Sequence, residues 1–142
     1  MKKHRITSIF SVSLIVMVCA SLFAACQKIE RIEENQVEKI VVWAQTADEH
    51  ELSADDCARF IELYNASKYK SERTGEITAE PGTPEFGAVV YFRDGTNLRL
   101  NDYDGFAGRD FQVSLRNADG NEETQHYISS KELYTFVSKF VD

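Results

Sequence analysis

The sequence predicts an α+β domain: a mostly antiparallel meander sheet with two helices packed on one face. Three observations carry that expectation. Apolar residues recur at i, i+3, i+4, i+7 in two places, as Cys57, Phe60, Ile61 and Tyr64 and again as Leu133, Phe136, Val137 and Phe140. That spacing lays each set along one side of a helix. Two Asp-Gly pairs, Asp94-Gly95 and Asp119-Gly120, stand between strand-like runs, a strong hairpin signal. A β-branched and aromatic run, Ile40-Val41-Val42-Trp43, precedes both patterns and reads as a strand covered on both faces.

The elements follow in order. A strand is expected within Val37–Gln45. Ser53 and Asp56 then form a carboxylate variant of the capping box, with Leu52 placed to staple onto Cys57, so a helix begins at that point. The stretch from Asn65 to Gly87 holds Gly75, Pro81, Gly82 and Pro84 and reads as an exposed loop, with room for a short strand around Gly75–Ala79. Ala88–Arg93 and Thr96–Asn101 flank Asp94-Gly95. As a two-residue type I′ turn, that pair places Arg93 opposite Thr96, Tyr91 opposite Leu98 and Val89 opposite Leu100. A third strand, Arg109–Arg116, alternates Phe111, Val113 and Leu115 with polar residues, and a fourth is expected over Glu123–Ile128. Ser129 and Glu132 then cap a second helix, with Ile128 placed to staple onto Leu133. The expected core joins Phe60, Ile61, Tyr64, Val89, Tyr91, Leu98, Leu100, Phe111, Val113, Leu115, Leu133, Phe136 and Phe140.

Ahead of the domain stands a different kind of segment. Met1-Lys2-Lys3-His4-Arg5 is basic, and the uncharged apolar run Ile9–Phe23 is 15 residues long. Crossing the hydrocarbon core of a bilayer takes ~20 apolar residues, so the run reads as a secretory signal. It ends in Leu22-Phe23-Ala24-Ala25-Cys26. This resembles the lipobox of bacterial lipoproteins, in which an apolar residue and small residues precede a cysteine. The resemblance covers residues 1–26. It implies cleavage before Cys26, diacylglyceryl transfer to its thiol, and an extracytoplasmic, membrane-anchored protein on the cell surface or periplasmic side. Cleavage after Val18-Cys19-Ala20 is the alternative, and would release a free secreted protein. On the lipoprotein reading, residues 1–25 are the signal, 26–36 a lipidated tether and 37–142 one domain.

Removing residues 1–25 leaves 117 residues, with 13 Lys and Arg against 23 Asp and Glu, a formal charge of −10. That length suits one domain. The charge argues against nucleic acid, whose phosphates demand basic patches, and against adsorption to anionic headgroups. Membrane attachment therefore falls to the acyl chains. Cys57 is the one cysteine left after Cys26 and the signal are set aside, so the domain rests on its apolar core without an intrachain disulfide.

Chemistry is sparsely signalled. His50 and His126 stand in no recognisable catalytic motif, and no nucleophile elbow, zinc motif, P-loop or dinucleotide fingerprint is present. No cofactor or metal is expected. The loops Asn101–Gly105 and Asn117–Glu123 are rich in oxygen ligands but match no EF-hand, and Asn, Asp and Gly also simply favour turns. The type I′ register puts Phe92 on the outer, helix-free face of the sheet together with Arg99 and Arg116, an aromatic flanked by cations and suited to a protein or envelope-polymer contact. The expected function is a non-enzymatic binding or interaction module. Alternatives are an enzyme using carboxylates such as Asp102 and Asp104, or an accessory subunit of a membrane complex.

The anchor is directly testable. Cys26→Ser should abolish acylation and release or mislocalise the protein, read by metabolic fatty-acid labelling. A native chain whose mature N-terminus proves to be Ser21 would exclude the lipoprotein reading.

Overall fold

The computed structural model describes residues 29–70, 84–103 and 110–141. Seven antiparallel strands form one sheet: β1 (Val37–Ala44), β2 (Ala47–Glu51), β3 (Lys68–Lys70), β4 (Pro84–Phe92), β5 (Asn97–Tyr103), β6 (Asp110–Arg116) and β7 (Glu122–Ser129). Their order across the sheet is β2-β1-β4-β5-β6-β7-β3. Helices α1 (Ala54–Asn65) and α2 (Lys131–Ser138) complete the α+β architecture. The lipobox, Cys26, Asp104 and the possible strand at Gly75–Ala79 lie outside the described residues.

Both helices pack on the same side of the sheet. Phe60, Leu63 and Tyr64 of α1, with Leu133 and Val137 of α2, join Ile40, Val42, Ala88, Val90, Leu98, Leu100, Phe111, Val113 and Ile128 in one buried cluster. Ser53 caps α1, its Oγ accepting from the Asp56 N–H at 3.2 Å. Asp55 and Asp56 place negative charge in the first turn, where the helix dipole favours it. The second cap is Ser130, which accepts from the Leu133 N–H at 3.1 Å; Ser129, the expected cap, is the last residue of β7.

The central hairpin departs from the expected register. Phe92 N donates to Thr96 O at 3.0 Å, and Gly95 N to Phe92 O at 3.1 Å. The loop is therefore Arg93-Asp94-Gly95, three residues rather than two, closed by Gly95 at φ +89°. Asp94 favours this shape, because its Oδ1 accepts from both Thr96 N, at 2.9 Å, and Thr96 Oγ1, at 2.6 Å. The extra loop residue slides β4 by one position against β5. Val90 pairs with Leu98, Ala88 with Leu100 and Val89 with Arg99. Side chains alternate along a strand, so a slide of one inverts its faces. Val90 and Phe92 turn toward the helices; Val89 and Tyr91, expected in the core, turn to the outer face.

Three further expectations change. β2 falls in a charged stretch ahead of the first helix for which no element was expected; its five residues, Ala-Asp-Glu-His-Glu, are all exposed and offer no apolar alternation to read. The segment expected as a tether joins the domain from Ile29 onward. Ile32 is buried, and the Asn65 side chain grips its backbone twice, Oδ1 accepting from Ile32 N and Nδ2 donating to Ile32 O, each at 2.9 Å. Phe136 and Phe140 are only partly buried. α2 ends at Ser138, so they pair edge to face on its flank at 5.2 Å, and Phe140 also stacks on His50.

On the outer face, Gly87 opposes Trp43 across β1 and β4. A Cβ at this glycine would stand 2.1 Å from Leu100 O and 2.9 Å from the Trp43 ring. Only glycine lets the indole lie over the strand there.

Leu133 has no exposed surface, whereas Phe136 is only partly covered. Leu133→Ala should cost ~2–5 kcal/mol, and Phe136→Ala about half or less of the ~3–5 kcal/mol typical of a buried aromatic. Urea unfolding of the two variants measures the order; a larger loss at Phe136 would contradict the packing.

Candidate functional site

A cavity of about 710 Å³ opens on the helix side of the sheet, at the end that α1 and α2 leave uncovered. The sheet supplies its floor: Phe92 from β4, Leu98 from β5, Leu115 from β6, His126 from β7 and Tyr69 from β3. Tyr64, near the end of α1, forms one wall, and the chain from Glu30 to Gln36 forms another. The tip of the β4–β5 hairpin closes the rim. It is pinned to the N-terminal wall, for Arg93 N donates to Gln36 O at 2.9 Å and Arg93 Nε to Asn35 O at 3.1 Å.

The register shift shapes this site. Phe92 reaches the floor because the hairpin loop has three residues, and the pairing of Val113 with His126 places His126 on the same side. The His126 imidazole stacks on Tyr69, with ring centres 5.3 Å apart and planes inclined by 22°. Its Nε2 is buried and has no hydrogen-bond partner among the described residues. Burial holds its pKa below the usual 6.5, so the ring is neutral at pH 7. Burial also pushes the Tyr64 hydroxyl well up, and the nearby Glu30 carboxylate adds to the effect; Tyr64 stays protonated. At the rim, Glu30 and Asp94 balance Arg31 and Arg93 in sign. The Asp94 carboxyl is held below its usual range by its bonds to Thr96. The interior thus offers aromatic and aliphatic walls and one neutral nitrogen seeking a partner, which suits binding better than acid–base work on a charged substrate.

The residues singled out from the sequence are distributed differently. Phe92 packs against the core and lines the cavity. It does not share a surface with Arg99 and Arg116, as the two-residue turn had required. Those two arginines do share the outer face: Arg99 pairs with Ser114, and Asn97 with Arg116, making the arginines diagonal neighbours across β5 and β6. Asp102 points to the helix side, where it is buried and accepts from the Tyr134 hydroxyl at 3.3 Å. Tyr134 in turn packs against Phe86 and Phe111, so Asp102 belongs to an aromatic cluster.

In the second acidic loop, Asn117 Oδ1 accepts from Asn121 N at 2.9 Å and is occupied within its turn. Among the described residues no group of three or more His, Cys, Asp or Glu side chains could hold a metal ion. Cys57 is half-buried; burial raises its pKa, and its Sγ–H points to Leu52 O at 3.7 Å, an environment that keeps a thiol protonated and unreactive.

No family model, curated protein or solved structure matches the chain. Among the described residues no helix is long and apolar enough to cross a membrane.

His126 links the site to pH. Its folded pKa is depressed while the unfolded chain keeps the ordinary 6.5, so between those two values the unfolded state binds more protons. The His126 contribution is full above pH 6.5 and is lost as pH falls through the folded pKa. Unfolding free energy measured from pH 7.5 downward should therefore decline more steeply below 6.5 in the native chain than in His126→Gln. Identical slopes would show that the ring titrates normally.

Proposed function

We propose that the domain is a non-enzymatic binding module that holds a small, largely apolar and uncharged molecule in the cavity beneath the β4–β5 hairpin, carried on a lipoprotein anchored through Cys26. The observation that carries this reading is the His126 Nε2, buried and without a partner among the described residues, inside an aromatic-walled cavity. A volume of about 710 Å³ falls within the ~300–1,000 Å³ of small-molecule sites. A polar atom buried without a partner costs of order 1–3 kcal/mol, and a ligand with one complementary hydrogen-bonding group offsets that cost. Phe92, Leu98, Leu115, Tyr64 and Tyr69 would surround the apolar body of the ligand, and the balanced rim gives no preference for either sign of charge. Support for the anchor is the Ala24-Ala25-Cys26 sequence behind a short apolar run. The docked segment from Ile29 then leaves only a few residues between the lipidated cysteine and the cavity wall.

N-phenyl-1-naphthylamine, a neutral apolar fluorophore, tests the reading. It should bind the full chain saturably at one site and raise the melting temperature. Leu115→Trp, which fills the floor, should weaken binding at least tenfold while the chain remains folded by circular dichroism. Absence of saturable binding, or equal affinity in a folded Leu115→Trp variant, would exclude the cavity as the functional site.

A further inference from the structure

Very little chain separates the lipobox cysteine from the cavity wall. Glu30 lines the cavity and stands four residues after Cys26. An extended chain spans at most ~3.6 Å per residue, so their Cα atoms lie within ~14 Å of each other whatever path the chain takes between them. The wall itself is fixed to the domain. Ile29 packs against the core, Ile32 is buried, and the Asn65 side chain holds the Ile32 backbone through two bonds of 2.9 Å. Arg93 adds two more, to Asn35 O and Gln36 O. A reach of ~14 Å is about half the ~30 Å width of a small domain. With Cys26 acylated, the cavity end of the molecule is therefore held near the headgroup layer. The rim suits that place. Its Glu30 and Asp94 are balanced by Arg31 and Arg93, in a chain with 23 acidic and 16 basic residues, so this end escapes much of the repulsion that an anionic surface exerts on the rest.

We infer that the ligand of the cavity is a neutral single-chain lipid, of the monoacylglycerol class, that enters directly from the leaflet holding Cys26. The inference rests on the cavity and the anchor proposed above and names what the two serve together. Phe92, Leu98 and Leu115 on the floor, with Tyr64 and Tyr69 beside them, take the acyl chain. A volume of about 710 Å³ accommodates one chain with a small head and falls short of the two chains and charged headgroup of a phospholipid. A phosphate would also lose its water to aromatic and aliphatic walls that return too few hydrogen bonds. A monoacylglycerol carries only hydroxyls and an ester, which the rim and the His126 imidazole can bond. Each methylene exposed to water on the way raises the cost of transfer. A rim held at the headgroup layer removes that exposure, which is what a short tether contributes beyond attachment.

The test uses the full chain, acylated at Cys26 and reconstituted in phosphatidylcholine vesicles. The probe is a monoacylglycerol with a diazirine in its acyl chain. Brief flashes at increasing times after the probe is added give the rate of labelling, and peptide mass spectrometry gives its position. Label is expected on the peptides holding Phe92, Leu98 and Leu115. Four Glu-Ala-Ala-Ala-Lys repeats inserted between Gln27 and Lys28 form a semi-rigid spacer of up to ~30 Å. The spacer should slow labelling at least fivefold while N-phenyl-1-naphthylamine affinity, measured in solution on the Cys26→Ser forms, stays unchanged. A phosphatidylcholine bearing the same diazirine chain should label at least fivefold less. An undiminished rate in the spacer variant, with the naphthylamine still bound saturably by both forms, overturns entry from the leaflet and leaves the cavity reading standing. Equal labelling by phosphatidylcholine overturns the neutral class. Label confined to residues outside the cavity, or a native chain not acylated at Cys26, overturns the inference outright. Absence of saturable naphthylamine binding in the native chain removes the cavity reading itself, and this inference with it.

Discussion

Phe92 donates its backbone N–H to Thr96 across the loop Arg93-Asp94-Gly95, and the side of the sheet taken by each residue of β4 depends on that bond. With three residues in the loop, Phe92, Val90 and Ala88 face the helices; with two, Tyr91 and Val89 would. The Asp94 carboxylate bonded to Thr96 and the positive φ of Gly95 hold the longer form. Everything laid on β4 inherits the choice. The cavity obtains its Phe92 floor, the core obtains Val90 and Ala88 against Ile40 and Val42, and the outer face obtains Tyr91 beside Lys39. The Asp119-Gly120 hairpin repeats the pattern, with Asn117 N donating to Asn121 O at 3.0 Å and Gly120 at φ +83°. One local solution serves both turns of the meander.

The two faces differ in how they settle their polar atoms. On the helix side, close packing satisfies nearly everything, and Asp102 finds Tyr134 inside an aromatic cluster. Among the described residues His126 is the exception, and it lies where the helices stop short. On the outer side, the Lys70–Asp110 pair, at 3.1 Å, occupies the β3 end of the sheet, while the middle strands carry Arg99, opposite Ser114, and Arg116, which stands between Asn97 and Glu122 in the pairing. Buried groups left unmatched are tolerated only where the rest of a fold has stability to spare. Here that reserve is the single cluster joining both helices to five strands.

Much of the fold was legible in the sequence because its signals were periodic. The helical stripe of α1, the alternation of Phe111, Val113 and Leu115, and the Ser-x-x-acid starts each specify an element from local chemistry. What was not legible depended on a count. Asp-Gly marks a turn equally well in two-residue and three-residue loops, and the bond from Asp94 to Thr96 that separates them is a tertiary detail. β2 has no apolar alternation, and β3, with three residues, is too short for a pattern to exist. Of the candidate sites, the neighbourhood of Arg99 and Arg116 followed from strand alternation within β5 and β6 and survives the register change. Phe92 did not, because its face was assigned through the turn. His126 carried an overlooked signal: it stands two residues before the buried Ile128 on the same strand, and period two alone places it on the inner side.

Trp43 is the only tryptophan in the chain, and it lies over Gly87 on the face away from the helices. Its emission is thus a built-in reporter for one side of the molecule. Excited indole there senses the β1–β4 seam and the polar surface beside it, while the sheet stands between it and whatever enters beneath the hairpin. Excitation at the red edge of indole absorption, where tyrosine does not absorb, therefore interrogates the outer face by itself, without a label.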